Sequence, residues 1–283
     1  MKTVADALGV SRSNLIEQVN SDDGGLPPAP PLPPDDAELL ERIHRITDKR
    51  GSYGYRRVTA LLNRELVVEG RPKVNHKRLY RVMRDHQLLL HRHTGHKPTR
   101  THDGQVITLR SNTRWCSDSF EIRCWSGEVV RVVFSLDTCD RECMRYRAVV
   151  DEGITGELVR DLMVETVEYR FGAGVRQVPH PVEWLSDNGS CYTANETVSF
   201  GSALGLLICT TPVYSPESNG MAESFVKTLR RDYVYLSRLD SAAVVLAQLP
   251  RWIEDYNEVH PHRGLKMRSP REYLAMQRAG GSA

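Results

Sequence analysis

Three carboxylates stand out by type and position. Asp118 lies inside an apolar, strand-like stretch, Asp187 stands directly before an Asn188-Gly189 turn, and Glu223 falls in the first turn of a long amphipathic helix. Hard oxygen donors of this kind suit Mg²⁺, which keeps several waters and needs few protein ligands. Two such ions about 4 Å apart activate a hydroxyl and stabilise the leaving oxygen of a phosphodiester. In that scheme one carboxylate bridges both ions and the other two hold one each. Each residue alone has a plainer explanation. Asp-Asn-Gly favours a turn, and a glutamate complements a helix N-terminus. Asp118 has the least structural excuse, because an aspartate inside an apolar strand costs stability. Alternation does not settle which way Asp118 faces. Asp137 and Asp140, at a hairpin after the second strand, are rival carboxylates and are read as turn residues.

The elements that must position these groups follow from hydrophobic spacing. Strands are expected over 114–125, 129–137 and 143–150, joined by short turns into an antiparallel meander. An amphipathic helix over 156–172, a buried strand over 181–189, a helix over 193–204, a short strand at GLLICTTP and a helix over 221–237 complete the order βββαβαβα. That order is a mixed α/β layer, a sheet flanked by helices. Pro250 is expected to kink or split a further helix over 241–257.

Upstream the chain is helical. Residues 1–23 form a helix-turn-helix-like head that offers Arg12, Ser13 and Asn14, and the Pro/Gly-rich residues 24–36 a semi-rigid linker. Residues 37–91 read as a basic, all-α DNA-binding domain of three helices. Leu39, Leu40, Ile43 and Ile46 mark the first, Val58, Leu61, Leu62 and Leu66 the second, and Asn75 caps the third. Tyr55, Arg56 and Arg57 stand at a helix start, and Lys77, Arg78 and Arg81 on an outward face, as candidate DNA contacts. Residues 92–113 are a basic connector, residues 114–238 the α/β core and residues 239–283 a C-terminal helical tail.

The net charge of +2 conceals a polarity: −5 over residues 1–38, +11 over 39–113 and −4 over 114–283. A basic block of this kind attracts phosphate backbones. The histidines of the connector lack the paired spacing of a zinc site. No N-terminal apolar run follows Lys2, and no stretch is apolar enough to span a membrane. The six cysteines are expected as reduced thiols, and the chain as a cytoplasmic protein.

Several segments also carry a family resemblance. WCSDSF, LSDNGSCYTANET and SPESNGMAESFVKTLRRDY resemble the core of the retroviral-integrase-type transposases, the DDE enzymes of bacterial insertion sequences. Between Asp187 and Glu223 lie 35 residues, the spacing of the D,D(35)E class. WIEDYNEVHPHRGLKMRSPREYL resembles the segment after that core, and SYGYRRVTALL and VNHKRLYRVMRDHQLL the helical region before it.

The resemblance implies an RNase H-like fold and a transposase that binds the terminal inverted repeats of a mobile element, cleaves DNA and transfers the strand. It implies Asp118, Asp187 and Glu223 as the catalytic, metal-holding set, two Mg²⁺ ions with Mn²⁺ as the alternative, and Lys227 and Arg230 against terminal DNA phosphates. Ser218, Asn219 and Gly220 match the loop before the glutamate. Implied partners are the element ends and target DNA as duplexes, a second copy of the chain on DNA, and an upstream-frame DNA-binding product. The alternative is a DNA-binding regulator whose integrase-like domain is inactive. A third reading is a plain nuclease that cuts without joining.

Overall fold

The computed structural model describes residues 34–91, 108–211 and 219–280. The helix-turn-helix-like head, nearly all of the proline-rich linker, most of the basic connector and the loop at 212–218 lie outside the described residues.

Three helices form the N-terminal unit: α1 (Asp36–Lys49), α2 (Tyr55–Val68) and α3 (His76–Asp85). Asp35 caps α1 by accepting the Glu38 N–H at 2.7 Å, and Asn75 caps α3 by accepting the Lys77 N–H at 2.9 Å. Leu39, Ile43, Val58, Leu62, Leu66, Leu79 and Met83 pack as one core. Asn63 brackets the backbone of Val74 with two hydrogen bonds, 3.0 Å to its carbonyl and 2.7 Å from its N–H. That clamp fixes the approach of α3 to α2.

The second unit is built on a five-stranded sheet in the order β3-β2-β1-β4-β5. Its strands are β1 (Arg114–Arg123), β2 (Val129–Asp137), β3 (Cys143–Val150), β4 (Val182–Ser186) and β5 (Leu206–Thr210). β1, β2 and β3 pair antiparallel, while β1 and β4, and β4 and β5, pair parallel. The helices are α4 (Gly156–Phe171), the short α5 (Ser190–Thr193), α6 (Asn195–Ala203), α7 (Gly220–Asp232), α8 (Ala242–Glu258) and α9 (Pro270–Gly280). One face of the sheet packs Phe120, Val132 and Phe134 against Phe225, Leu229, Trp252 and Tyr256 of α7 and α8. The other packs Trp115, Val133 and Trp184 against Leu162, Met163 and Val167 of α4. The expected RNase H-like layering of helix, sheet and helix is thus observed.

Three local expectations change. α8 runs through Pro250 unbroken. Both Pro250 and Leu246, whose carbonyl loses its helical partner there, lie on the exposed face, so the missing bond falls outside the packed core. The helix over 221–237 stops at Asp232 and continues as a 3₁₀ turn at Val234–Leu236. Asp137 and Asp140 are more than turn residues. Both are fully buried, Asp137 accepts the N–H groups of Cys139 and Asn112, and Asp140 pairs with Arg170 at 3.0 Å. Burial raises both carboxyls above the usual aspartate range, Asp140 to about 6, against the pull of Arg170. They anchor the β2–β3 turn to α4.

Candidate active site

β1 is the middle strand, and its Cys116, Phe120 and Ile122 pack toward α7 and α8. Asp118 shares their side by alternation and lies opposite Phe134 of β2, which points into the same core. The facing that alternation alone left open is thereby resolved. The parallel register of β1 with β4 ends at the pair Cys116–Leu185, and Asp118 and Asp187 each lie two residues beyond it on their own chain segment.

Asp187 leaves the end of β4 just past the buried Ser186. Its Oδ1 accepts the Gly189 N–H at 3.0 Å. A Cβ at Gly189 would stand 3.0 Å from that oxygen, which is why the turn keeps a glycine there. Asn188 donates from Nδ2 to the Thr211 carbonyl at 2.8 Å and ties the turn to the end of β5. The buried Tyr192 hydroxyl meets Ser117 Oγ at 3.0 Å and braces β1 next to Asp118.

Glu223 is presented by the first turn of α7. The preceding Asn219 is 5% exposed and donates from Nδ2 to the Ser117 carbonyl at 3.2 Å, while its Oδ1 is buried without a partner. The start of the glutamate helix is therefore pinned to the strand beside Asp118. In the sequence Asn219 was one residue of a matching loop, and nothing in its spacing marked it as the pin.

The three carboxylates converge electrostatically. Burial raises Asp118 to about 6, the Ser119 N–H at 2.7 Å opposes that rise, and the charges of Asp187 and Glu223 add to it. As they lie, no three Asp, Glu, His or Cys side chains among the described residues stand close enough to enclose one ion. The donor chemistry nonetheless fits a divalent cation. All three groups offer hard oxygens, and backbone N–H groups, not cations, contact Asp118 and Asp187.

Lys227, 70% exposed, pairs with Glu223 Oε2 at 2.9 Å. Arg230 is half-buried, and its Nη2 reaches the Glu121 carbonyl at 3.4 Å. On the helical unit the expected DNA contacts divide. Arg56 lies exposed against the ring of Tyr55, and Tyr55 stacks on His76 and meets Tyr80 edge-on. Lys77 and Arg81 are exposed, whereas Arg78 is held by Asp36 at 2.7 Å. Arg57 does not face outward with them. Its guanidinium turns into the second unit and meets Asp232 at 3.0 Å, because one step along α2 rotates the side chain about 100° away from Arg56. A groove of about 460 Å³ between α2 and the start of α3 is lined by Arg56, Asn63, Lys73, Asn75 and His76.

Comparison with known proteins finds family matches over both units. The HTH-like domain family matches residues 34–94. Two families described as Integrase core domain match residues 109–216 and 204–270. The chain is 46% identical over 279 residues to Transposase InsD for insertion element IS2A/D/F/H/I/K of Escherichia coli, spanning 98% of this chain and 92% of the relative. It is likewise 46% identical to Transposase InsD for insertion element IS2-9 of Escherichia coli strain K12, spanning 98% of this chain and 90% of the relative. Among solved structures, a simian T-cell lymphotropic virus intasome aligns at TM-score 0.47 with 16% identity, over 83% of this chain and 73% of that one. The catalytic core domain of BIV integrase aligns at TM-score 0.39 with 21% identity, over 60% of this chain and 98% of that one.

Proposed function

The chain belongs to the insertion-element transposases, and from that premise we propose that Asp118, Asp187 and Glu223 are its catalytic carboxylates and hold two divalent ions, Mg²⁺ in the first place. The observation that supports this reading is that Asp118 and Asp187 both follow the last β1–β4 pair by two residues, while Asn219 pins the Glu223 helix to β1 and the charges of Asp187 and Glu223 act on Asp118. A divalent ion held by these oxygens supplies Lewis-acid activation of the attacking hydroxyl and neutralises charge on the phosphate.

The remaining work falls to the chain's own residues. Asn188, Tyr192 and Asn219 fix the strand and turn from which the carboxylates project. Lys227 sits one helical turn after Glu223 and is free to exchange that partner for a terminal phosphate of the element. Arg230 extends the same face. In cleavage, water attacks the phosphorus and the 3′ oxygen leaves with a proton. In joining, that 3′-hydroxyl attacks a target phosphate and displaces another 3′ oxygen. One P–O bond forms and one breaks in each step, so no separate energy source is needed.

The helical unit reads the element ends with Tyr55, Arg56, Lys77 and Arg81, and the groove between α2 and α3 accommodates the DNA backbone beside Arg56 and Lys73. Two ends in one complex call for at least two copies of the chain. The decisive test pairs full-length wild type with Glu223→Gln on a duplex that carries the terminal repeat. Mg²⁺-dependent cleavage and joining are expected from wild type alone, with equal binding by both. Undiminished joining by the variant would sink the assignment. Binding without cleavage by wild type would support the inactive-regulator reading instead.

A further inference from the structure

The turn between α1 and α2 plugs the helical unit into the catalytic unit. Tyr53, 1% exposed, shares a hydrogen bond of 2.8 Å between its hydroxyl and His260 Nδ1. The guanidinium groups of Arg50 and Arg57 cover its ring, 5.6 and 5.2 Å from the centroid. Each arginine then continues to a different aspartate. Arg50 forks onto Asp255 of α8 at 2.5 Å. Arg57 Nη1 donates to Asp232 Oδ2 at 3.0 Å.

Asp232 is the last residue of α7, and its side chain is 1% exposed. It also receives Arg231 at 2.6 Å and lies 3.7 Å from His260 Nδ1. α7 is therefore held at both ends. Asn219 fixes its start to β1, and a cation from the DNA-reading unit fixes its end. A helix of this length is about 20 Å of stiff rod, so a shift at Asp232 is felt at Glu223. Arg231 stays on Asp232 when Arg57 is removed, but the buried carboxylate then loses a cation that ties the helix end to the other unit.

We propose that Arg57 and Asp232 are positioning residues whose contact lets the helical unit set the orientation of α7, and hence the place of Glu223 beside Asp118. This rests on Glu223 acting in the reaction. The Arg64–Glu272 contact, at 2.5 Å, is a built-in control. It joins the same two units but ends on α9, which carries none of the three carboxylates, whereas Asp255 also accepts the Tyr233 hydroxyl at the end of α7 at 2.8 Å.

The experiment is single-turnover cleavage by the full chain, prebound to a terminal-repeat duplex with saturating Mg²⁺. Wild-type cleavage that Glu223→Gln abolishes secures the underlying reading, and its absence counts against that reading and not against the coupling. Because small displacements of catalytic groups cost up to about a hundredfold, Arg57→Gln is expected to cleave at least about tenfold more slowly, with end binding within about threefold of wild type. Arg57→Lys restores most of the rate. Arg64→Gln stays within about threefold in rate, although its melting temperature falls as far. Wild-type cleavage by Arg57→Gln, or an equal loss in Arg64→Gln, overturns the proposal. Should Arg57→Gln not fold, hydrogen exchange across residues 220–232 in Arg57→Met and Arg64→Met decides. Faster exchange in the former alone supports the coupling, and equal exchange overturns it.

Discussion

Lys227 Nζ lies 2.9 Å from Glu223 Oε2, one turn along α7. The proposed phosphate ligand and the proposed metal ligand thus neutralise each other in the DNA-free chain. An exposed pair of this kind adds little to stability, so its value lies in what replaces it. Lys227→Gln is expected to melt within about 2 °C of wild type, since such pairs are worth a small fraction of a domain's stability. Its binding to an end duplex should weaken at low salt, with the slope of log affinity against log salt reduced by about one unit. Fluorescence anisotropy over a salt series checks both the affinity and the slope. An unchanged slope removes Lys227 from the phosphate contacts.

Gly189 holds space for Asp187. Its backbone lies in a region any residue adopts, φ −59, so alanine there strains nothing except the 3.0 Å approach to Asp187 Oδ1. Gly189→Ala is therefore expected to fold normally and to bind DNA ends normally, yet to cleave about tenfold or more slowly, as displaced catalytic groups do. Circular dichroism melts alongside cleavage rates test this. A parallel loss of fold and rate would mean that the turn is structural.

Much of this architecture is legible in the sequence because strand alternation and helical spacing report burial directly. The bounds of β2 and β3 follow from the runs at 129–137 and 143–150, and Asn75 reads as a cap and is one. The carboxylates stand out because an aspartate in an apolar strand calls for a reason. Long-range partners leave no local trace. Arg57 and Arg56 are neighbours of identical local character, yet Arg57 meets a buried aspartate 175 residues away and Arg56 faces solvent. The basic block likewise looks uniformly available to DNA. In the fold, Arg42 is taken up by Glu38 and Glu69, Arg71 by Glu38, and Arg64 by Glu272. Charge counting cannot separate these from Lys77 and Arg81.

Gly201 is a buried position of α6 that packs against β5 and α4. A Cβ there would meet Ile208 Cδ1 at 2.5 Å, Ile208 Cγ1 at 3.2 Å and the Met163 sulfur at 3.3 Å. Alanine is the better helix former by about 1 kcal/mol, but overpacking a closed core costs about 1–3 kcal/mol. Gly201→Ala is expected to come out destabilised by about 1 kcal/mol, and Gly201→Val by more. Urea unfolding with an unchanged m-value measures it. A stabilised alanine variant would show that Ile208 yields without cost.

Acid should weaken the chain through its buried histidines. His262 is depressed to about 3 by burial, with Arg141, Arg57 and Arg64 adding to the depression, and His260 is pushed well below its ordinary value for similar reasons. Between pH 6.5 and 3 the unfolded chain carries the His262 proton and the native chain does not. Stability therefore falls as pH falls through that window, by up to about 1.4 kcal/mol per pH unit for this one group. From pH 7 to 5 the loss due to His262 integrates to about 2 kcal/mol. Asp118 and Asp140, each raised to about 6, act in the opposite direction, since the native chain takes up their protons first. Both are shared by a His262→Gln variant, as is His260, so they cancel in a comparison with wild type. The variant is expected to start less stable at pH 7, because a buried glutamine replaces a packed ring, and then to lose about 2 kcal/mol less than wild type on going to pH 5. Urea midpoints at the two pH values give the difference. Equal losses in the two proteins would mean that His262 is protonated in the native fold, with a carboxylate within reach of its ring.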